Sequence, residues 1–118
     1  MIDEQRAQAF AQDWIASWNA HDLPRILAHY SADFRMTSPF IVQIANEPSC
    51  TLQGQEAVGA YWAKALERMP DLHFELLGVF RSINSLVIQY RNQAGRLSAE
   101  YFQFDGDGLV HTAVAHYA

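Results

Sequence analysis

The second half of the chain decides the fold class. Residues 72–80, 86–91, 96–105 and 109–117 are short segments rich in β-branched and aromatic side chains. Between them stand three turn signals, Ser82-Ile83-Asn84-Ser85, Asn92-Gln93-Ala94-Gly95 and Asp105-Gly106-Asp107-Gly108. Strands joined by connections this short pair antiparallel with their chain neighbours. Such a meander has one face that needs cover, and the first half of the chain must supply it.

That half is helical. Ala7, Phe10, Ala11, Trp14, Ile15 and Trp18 recur at three- and four-residue steps, with Glu4, Arg6, Gln8 and Gln12 facing away. This predicts an amphipathic helix from Asp3 to about Ala20. Asp22 is placed to cap a second, shorter helix with Pro24 in its first turn and Leu23, Ile26, Leu27 and Tyr30 on its buried face. That helix is expected to stop near Ser31. Residues 33–37 read as a short strand, and residues 38–53 as a long irregular connection at the mouth of the fold. A second stripe, Ala57, Val58, Tyr61, Trp62, Ala65, Leu66 and Met69, predicts a helix over residues 55–69 that Pro70 ends. The fold class is therefore α+β: a curved antiparallel sheet packed against N-terminal helices and enclosing a pocket.

At 118 residues the chain fits one domain, spanning 1–118. Its net charge of −5, with scattered basic residues, argues against nucleic acid or an anionic membrane as partner. No apolar run approaches the roughly 20 residues of a membrane span. A single cysteine, Cys50, and the lack of an apolar leader predict a reduced, cytoplasmic protein. No cofactor is expected, since no phosphate-cradling glycine loop occurs. No metal is expected either: the histidines at 21, 29, 73, 111 and 116 lack ligand spacing. The Asp105–Gly108 run lacks the downstream Glu of a calcium loop and reads as a hairpin turn.

The candidate site comes from converging aromatic residues. Trp14, Trp18, Tyr30, Tyr61, Trp62, Phe74, Tyr90 and Phe102 are all directed inward by these periodicities, with Met36 and Ser38 at the end of the first strand. A plain aromatic core and a partly open cavity both fit, and three Trp in so short a chain favour the cavity. Alternation places Glu100 on the same side as Ser98, Phe102 and Phe104. A carboxyl among aromatic rings has a raised pKa and suits a hydrogen-bond donor or a general acid/base. A structural acid satisfied by Arg or a Trp N–H is the competing reading. His116 is a second acid/base candidate. Alternation, however, sets Tyr117 with Ala113 and Ala115, which turns His116 toward the outer face if the small residues leave room for a cavity.

The runs Trp18-Asn19-Ala20-His21-Asp22-Leu23, Gly54-Gln55-Glu56-Ala57-Val58, Tyr61-Trp62 and Glu100-Tyr101-Phe102-Gln103-Phe104-Asp105, in this order, resemble the nuclear-transport-factor-2-like superfamily, and its SnoaL-like domains in particular. The resemblance implies a cone-shaped fold with a deep pocket and a homodimer pairing through the outer sheet face. It also implies a wide choice of functions, from ketosteroid isomerases, polyketide cyclases, epoxide hydrolases and dehydratases to pocket proteins without catalysis. The isomerase pattern is not retained. Ser38-Pro39 stands where that family has a general-base Asp before Pro, Trp14 where it has an oxyanion-binding Tyr, and Glu100 where it has a protonated Asp. Three readings follow. The chain binds a small, mostly apolar organic molecule, it is an isomerase-, cyclase- or hydrolase-like enzyme using Glu100, or it is a dimerisation module.

Overall fold

The computed structural model describes all 118 residues. Helix α1, Glu4–Asn19, begins where Asp3 accepts a hydrogen bond from the Arg6 backbone N–H at 2.8 Å. Its predicted stripe is its buried face, with Phe10 half-buried and Ser17 also inside. Helix α2, Leu23–Leu27, is capped by Asp22 through the Arg25 N–H and carries Pro24 in its first turn. It stops earlier than its apolar spacing predicts. Tyr30 already opens strand β1, Tyr30–Thr37, and the Val110 N–H donates to the His29 carbonyl at 3.0 Å. Pairing with a distant strand outweighs continuation of a short helix, whose isolated stability is slight.

The connection over residues 38–53 contains two elements that periodicity did not disclose. These are helix α3, Ile41–Ala45, and strand β2, Thr51–Gln53. Strand β2 pairs antiparallel with β1, and the Thr37 and Thr51 hydroxyls meet at 2.9 Å. Gly54, at φ 92°, turns the chain into helix α4, Gln55–Arg68. A side chain is strained at that φ, so glycine suits the turn. The buried face of α4 is Val58, Gly59, Tyr61, Trp62 and Ala65, while Ala57 of the predicted stripe is exposed.

Strands β3, Glu75–Arg81, β4, Ser85–Arg91, β5, Leu97–Phe104, and β6, Val110–Tyr117, form the predicted antiparallel meander. The sheet order is β2-β1-β6-β5-β4-β3, and β1 lies parallel to β6. That parallel pairing makes the sheet mixed rather than wholly antiparallel. Register irregularities between Tyr30 and Arg35, Leu76 and Gly78, and Gln103 and Phe104 bend it around the helices. No helix is long and apolar enough to cross a membrane.

Residues 72–74, predicted as strand, precede β3 and are held by side chains. The Asn19 amide accepts from the Phe74 N–H at 2.7 Å and donates to the Phe74 carbonyl at 2.9 Å. His21 Nε2 lies 2.8 Å from the Leu72 carbonyl. From the other motif, Gln55 Nε2 lies within 3.1–3.3 Å of the carbonyls of Leu27, Tyr30 and Ser31. Asn19, His21 and Gln55 thus fasten helices to the backbone of neighbouring segments.

Candidate functional site

Strand β5 passes from sealed core to open cavity along one face. Phe104 and Phe102 lie at the sealed end, edge-on to Phe10 with ring centroids 5.0 and 5.2 Å away. Two residues earlier, Glu100 faces a cavity of about 210 Å³. Its neighbours in register are Ile88 on β4 and Ala115 on β6, and the small Ala115 leaves space beside the carboxyl. Ser98 lies between Tyr90 and Tyr117 on the flanking strands. Arg96, just before the strand, also lines the cavity.

The facing wall is helical and aromatic. Trp14 and Trp18 come from α1 and Tyr61 and Trp62 from α4, while Phe74 stacks against Trp14 at 5.9 Å with 18° between planes. Trp14 presents only its ring. Its indole N–H donates to the Tyr30 hydroxyl at 2.9 Å and cannot also serve as an oxyanion donor. The Trp18 indole N–H and the Ser98 hydroxyl are enclosed without a protein partner. A buried polar group in that condition is costly unless something else satisfies it.

Glu100 is 5% exposed and has no cation beside it. Its Oε1 accepts from the Tyr90 hydroxyl at 3.2 Å, and Oε2 has no protein partner. Burial raises its pKa from 4.5 to about 7, with the Tyr90 hydrogen bond opposing the rise. Burial, followed by the nearby Glu100 charge, also pushes the Tyr30, Tyr90 and Tyr117 phenols above their usual range. These phenols are neutral near pH 7. Glu100 is the group whose protonation changes there, and it can donate or accept a hydrogen bond.

Of the residues singled out in the sequence, Trp14, Trp18, Met36, Tyr61, Trp62, Phe74, Tyr90 and Glu100 line the cavity. Four do not. Tyr30 is packed behind Trp14 and Trp62, with its hydroxyl engaged by the Trp14 indole. Ser38 is buried behind Tyr61, whose hydroxyl reaches it at 3.5 Å. Phe102, 0% exposed, is sealed beneath Trp14. His116 is exposed on the opposite face, its Nδ1 3.2 Å from the Val114 carbonyl. The first three share a face with the cavity but lie a layer below it.

Sequence reasoning missed Arg96, Tyr117 and Phe40 as lining residues. The Phe40 and Tyr117 rings meet at 4.7 Å, and the Arg96 guanidinium lies over both, 5.6 and 5.1 Å from their centroids. The available signal was alternation carried back from Glu100 through Ser98 to Arg96. No three His, Cys, Asp or Glu side chains are grouped as a metal would need.

Comparison with known proteins places this geometry in a family. The SnoaL-like domain family matches residues 11–117. A SnoaL-like protein of unknown function from Burkholderia thailandensis is 52% identical, with 99% of this chain and 98% of that one covered and a TM-score of 0.95. A protein proposed as an isomerase of the SnoaL-like family, from Agrobacterium tumefaciens, is 18% identical, with 97% and 98% covered and a TM-score of 0.77. An NTF2-like protein of unknown function from Cytophaga hutchinsonii is 12% identical, with 95% and 89% covered and a TM-score of 0.70. These last two likenesses are of fold alone. No curated protein matches the sequence. With nearly the whole sequence matched and the same α+β cone in each of these structures, the chain belongs to the SnoaL-like domain family of the nuclear-transport-factor-2-like fold.

Proposed function

We propose that the cavity binds a small, mostly apolar organic molecule and that Glu100 hydrogen-bonds its one deep polar group. The observation that carries this reading is a single buried carboxyl with an unpartnered oxygen, set among aromatic rings and facing open volume. Buried polar atoms are generally satisfied by protein or ordered water, so the open Glu100 oxygen is a place for a ligand's polar group. Native mass spectrometry of the purified protein, with untargeted identification of what is released, tests it. A retained small molecule that is lost in Glu100→Gln is the expected result. Equal retention in that variant removes Glu100 from the site.

A second reading makes Glu100 a general acid/base, and its pKa of about 7 favours it. Side-chain carboxyl NMR measures that value directly. Titration near 4.5 removes the reading.

Assembly belongs to the same proposal. Val87, Tyr101 and Val114 stand side by side across β4, β5 and β6 on the outer face, all half-buried in the monomer. Leu77 and Phe80 are exposed on β3. This row suits a homodimer through the outer sheet face. Light scattering is expected to give a dimer mass for the native chain and a monomer mass for Tyr101→Glu. A monomeric native chain overturns the assembly.

A further inference from the structure

The charged groups lining the cavity are two, Glu100 on β5 and Arg96 immediately before that strand. Residues at even steps along a strand share a face, so Arg96, Ser98 and Glu100 form a line from mouth to interior. At about 3.3 Å per residue, the Arg96 and Glu100 backbones are roughly 13 Å apart. This is a polar rail along one wall, faced by rings on the other.

The mouth end of the rail is held in place. Asn92 Oδ1 accepts from the Arg96 backbone N–H at 2.9 Å and from the Ala94 N–H at 3.0 Å. Gly95, at φ 83°, completes the turn. The Arg96 side chain lies over Phe40 and Tyr117, and its Nε donates to the Ala118 carbonyl at 3.3 Å. No Asp or Glu side chain pairs with it, since the side-chain ion pairs of the molecule are Arg25–Asp13, His29–Asp13 and Arg91–Glu75. Its Nη groups make no hydrogen bond to protein. A planar cation stacked on rings, with two nitrogens free, is prepared to take a planar anion in bidentate fashion.

The interior end has the opposite requirement. A second negative group beside Glu100 would be repelled, and burial already disfavours charge there. An uncharged hydroxyl or carbonyl oxygen can exchange a hydrogen bond with Glu100, whereas the anion belongs at the mouth. Size limits the body between them. A dry apolar cavity of about 150 Å³ accommodates benzene, so 210 Å³ suits one ring with short substituents. A four-ring skeleton does not fit that volume.

Resting on the binding reading above, we propose that the ligand is a single-ring aromatic monoanion. Its carboxylate sits on Arg96 at the mouth, and an uncharged oxygen at the far end of the ring reaches Glu100. Arg96 is then the residue that selects for charge, and Glu100 the one that reads the polar end.

Calorimetric titration of the purified protein with 4-hydroxybenzoate, 4-hydroxybenzamide and benzoate tests the proposal. The hydroxybenzoate is expected to bind at least tenfold more tightly than the neutral amide. Arg96→Gln is expected to abolish that preference by weakening the acid alone, and Arg96→Lys to restore part of it. Loss of the hydroxyl, in benzoate, is expected to weaken binding to the native protein more than to Glu100→Gln. Circular dichroism confirms that each variant is folded. Equal affinity for the acid and the amide, or an unchanged preference in Arg96→Gln, overturns the charge assignment while leaving a binding cavity in place. Failure of all three probes to bind overturns both the assignment and the binding reading for ligands of this size.

Discussion

The end of α1 and the inner face of β5 differ in what they display and in what they do. The run from Trp18 to Leu23 has the appearance of a signature, yet apart from the Trp18 indole N–H its polar side chains on Asn19, His21 and Asp22 are occupied by backbone. Asn19 brackets Phe74, His21 reaches Leu72, and Asp22 caps α2. Strand β5 and the residue before it carry no such fastening, only alternation, and hold three groups without a protein partner: one Glu100 oxygen, the Ser98 hydroxyl and the Arg96 Nη nitrogens. A recognisable motif here reports how the frame is fastened. The polar groups left over line the cavity instead, where the proposed binding would use them.

This contrast can be broken by substitution, since frame residues should govern stability and rail residues binding. The largest effect is expected from Asn19→Ala, which strands both the N–H and the carbonyl of Phe74. A loss of about 3 kcal/mol in urea unfolding is expected, with Asn19→Asp keeping the acceptor and losing less. A loss below about 0.5 kcal/mol would show that the motif does not hold the frame.

Glu100→Gln comes next, with the opposite sign above neutral pH. In the folded protein Glu100 keeps its proton up to about pH 7, whereas in the unfolded chain it ionises near 4.5. The native state therefore binds more protons between those values, and its stability falls as pH rises through that window. The fall amounts to about 3 kcal/mol and is complete above pH 7. Unfolding free energies from pH 4 to 8 should show this slope in the native protein and a flat profile in Glu100→Gln. Parallel profiles would mean that Glu100 ionises normally.

Gln55→Ala, removing a donor shared among three carbonyls, is expected to cost about 1 kcal/mol without altering small-molecule retention in native mass spectrometry. The smallest stability effect belongs to Arg96→Gln, an exposed position expected to change unfolding free energy by less than about 0.5 kcal/mol. A large destabilisation there would move Arg96 from the rail to the frame.

Long periodic segments are legible in the sequence itself. The stripes of α1 and α4 run for several turns, and the meander repeats its turn signals, so local and tertiary preferences agree. Glu100 was legible for the same reason, through its step relation to Phe102 and Phe104. Helix α3 was not, being five residues with no capping side chain and a left-handed Asn46 at its end. The β1–β6 pairing leaves no local trace, because Tyr30 and Val110 are far apart in the chain. Tyr30, Ser38 and Phe102 show a further limit in physical terms. Alternation tells which side of a strand a residue takes, but depth depends on what packs above it. Arg96 was overlooked because a turn position reads as solvent-facing until the rings beneath it are known.

The parallel pairing has a consequence for how the molecule is made. Strand β6 lies between β1 and β5, so it joins the first-formed part of the sheet to the last hairpin. During synthesis β1 has β2 on one edge and nothing on the other until Val110–Tyr117 leaves the ribosome. Pairing across so many residues is slow relative to hairpin closure. The β1–β6 pairing is therefore expected to form late, and the two parts of the sheet that frame the cavity are joined only when it does.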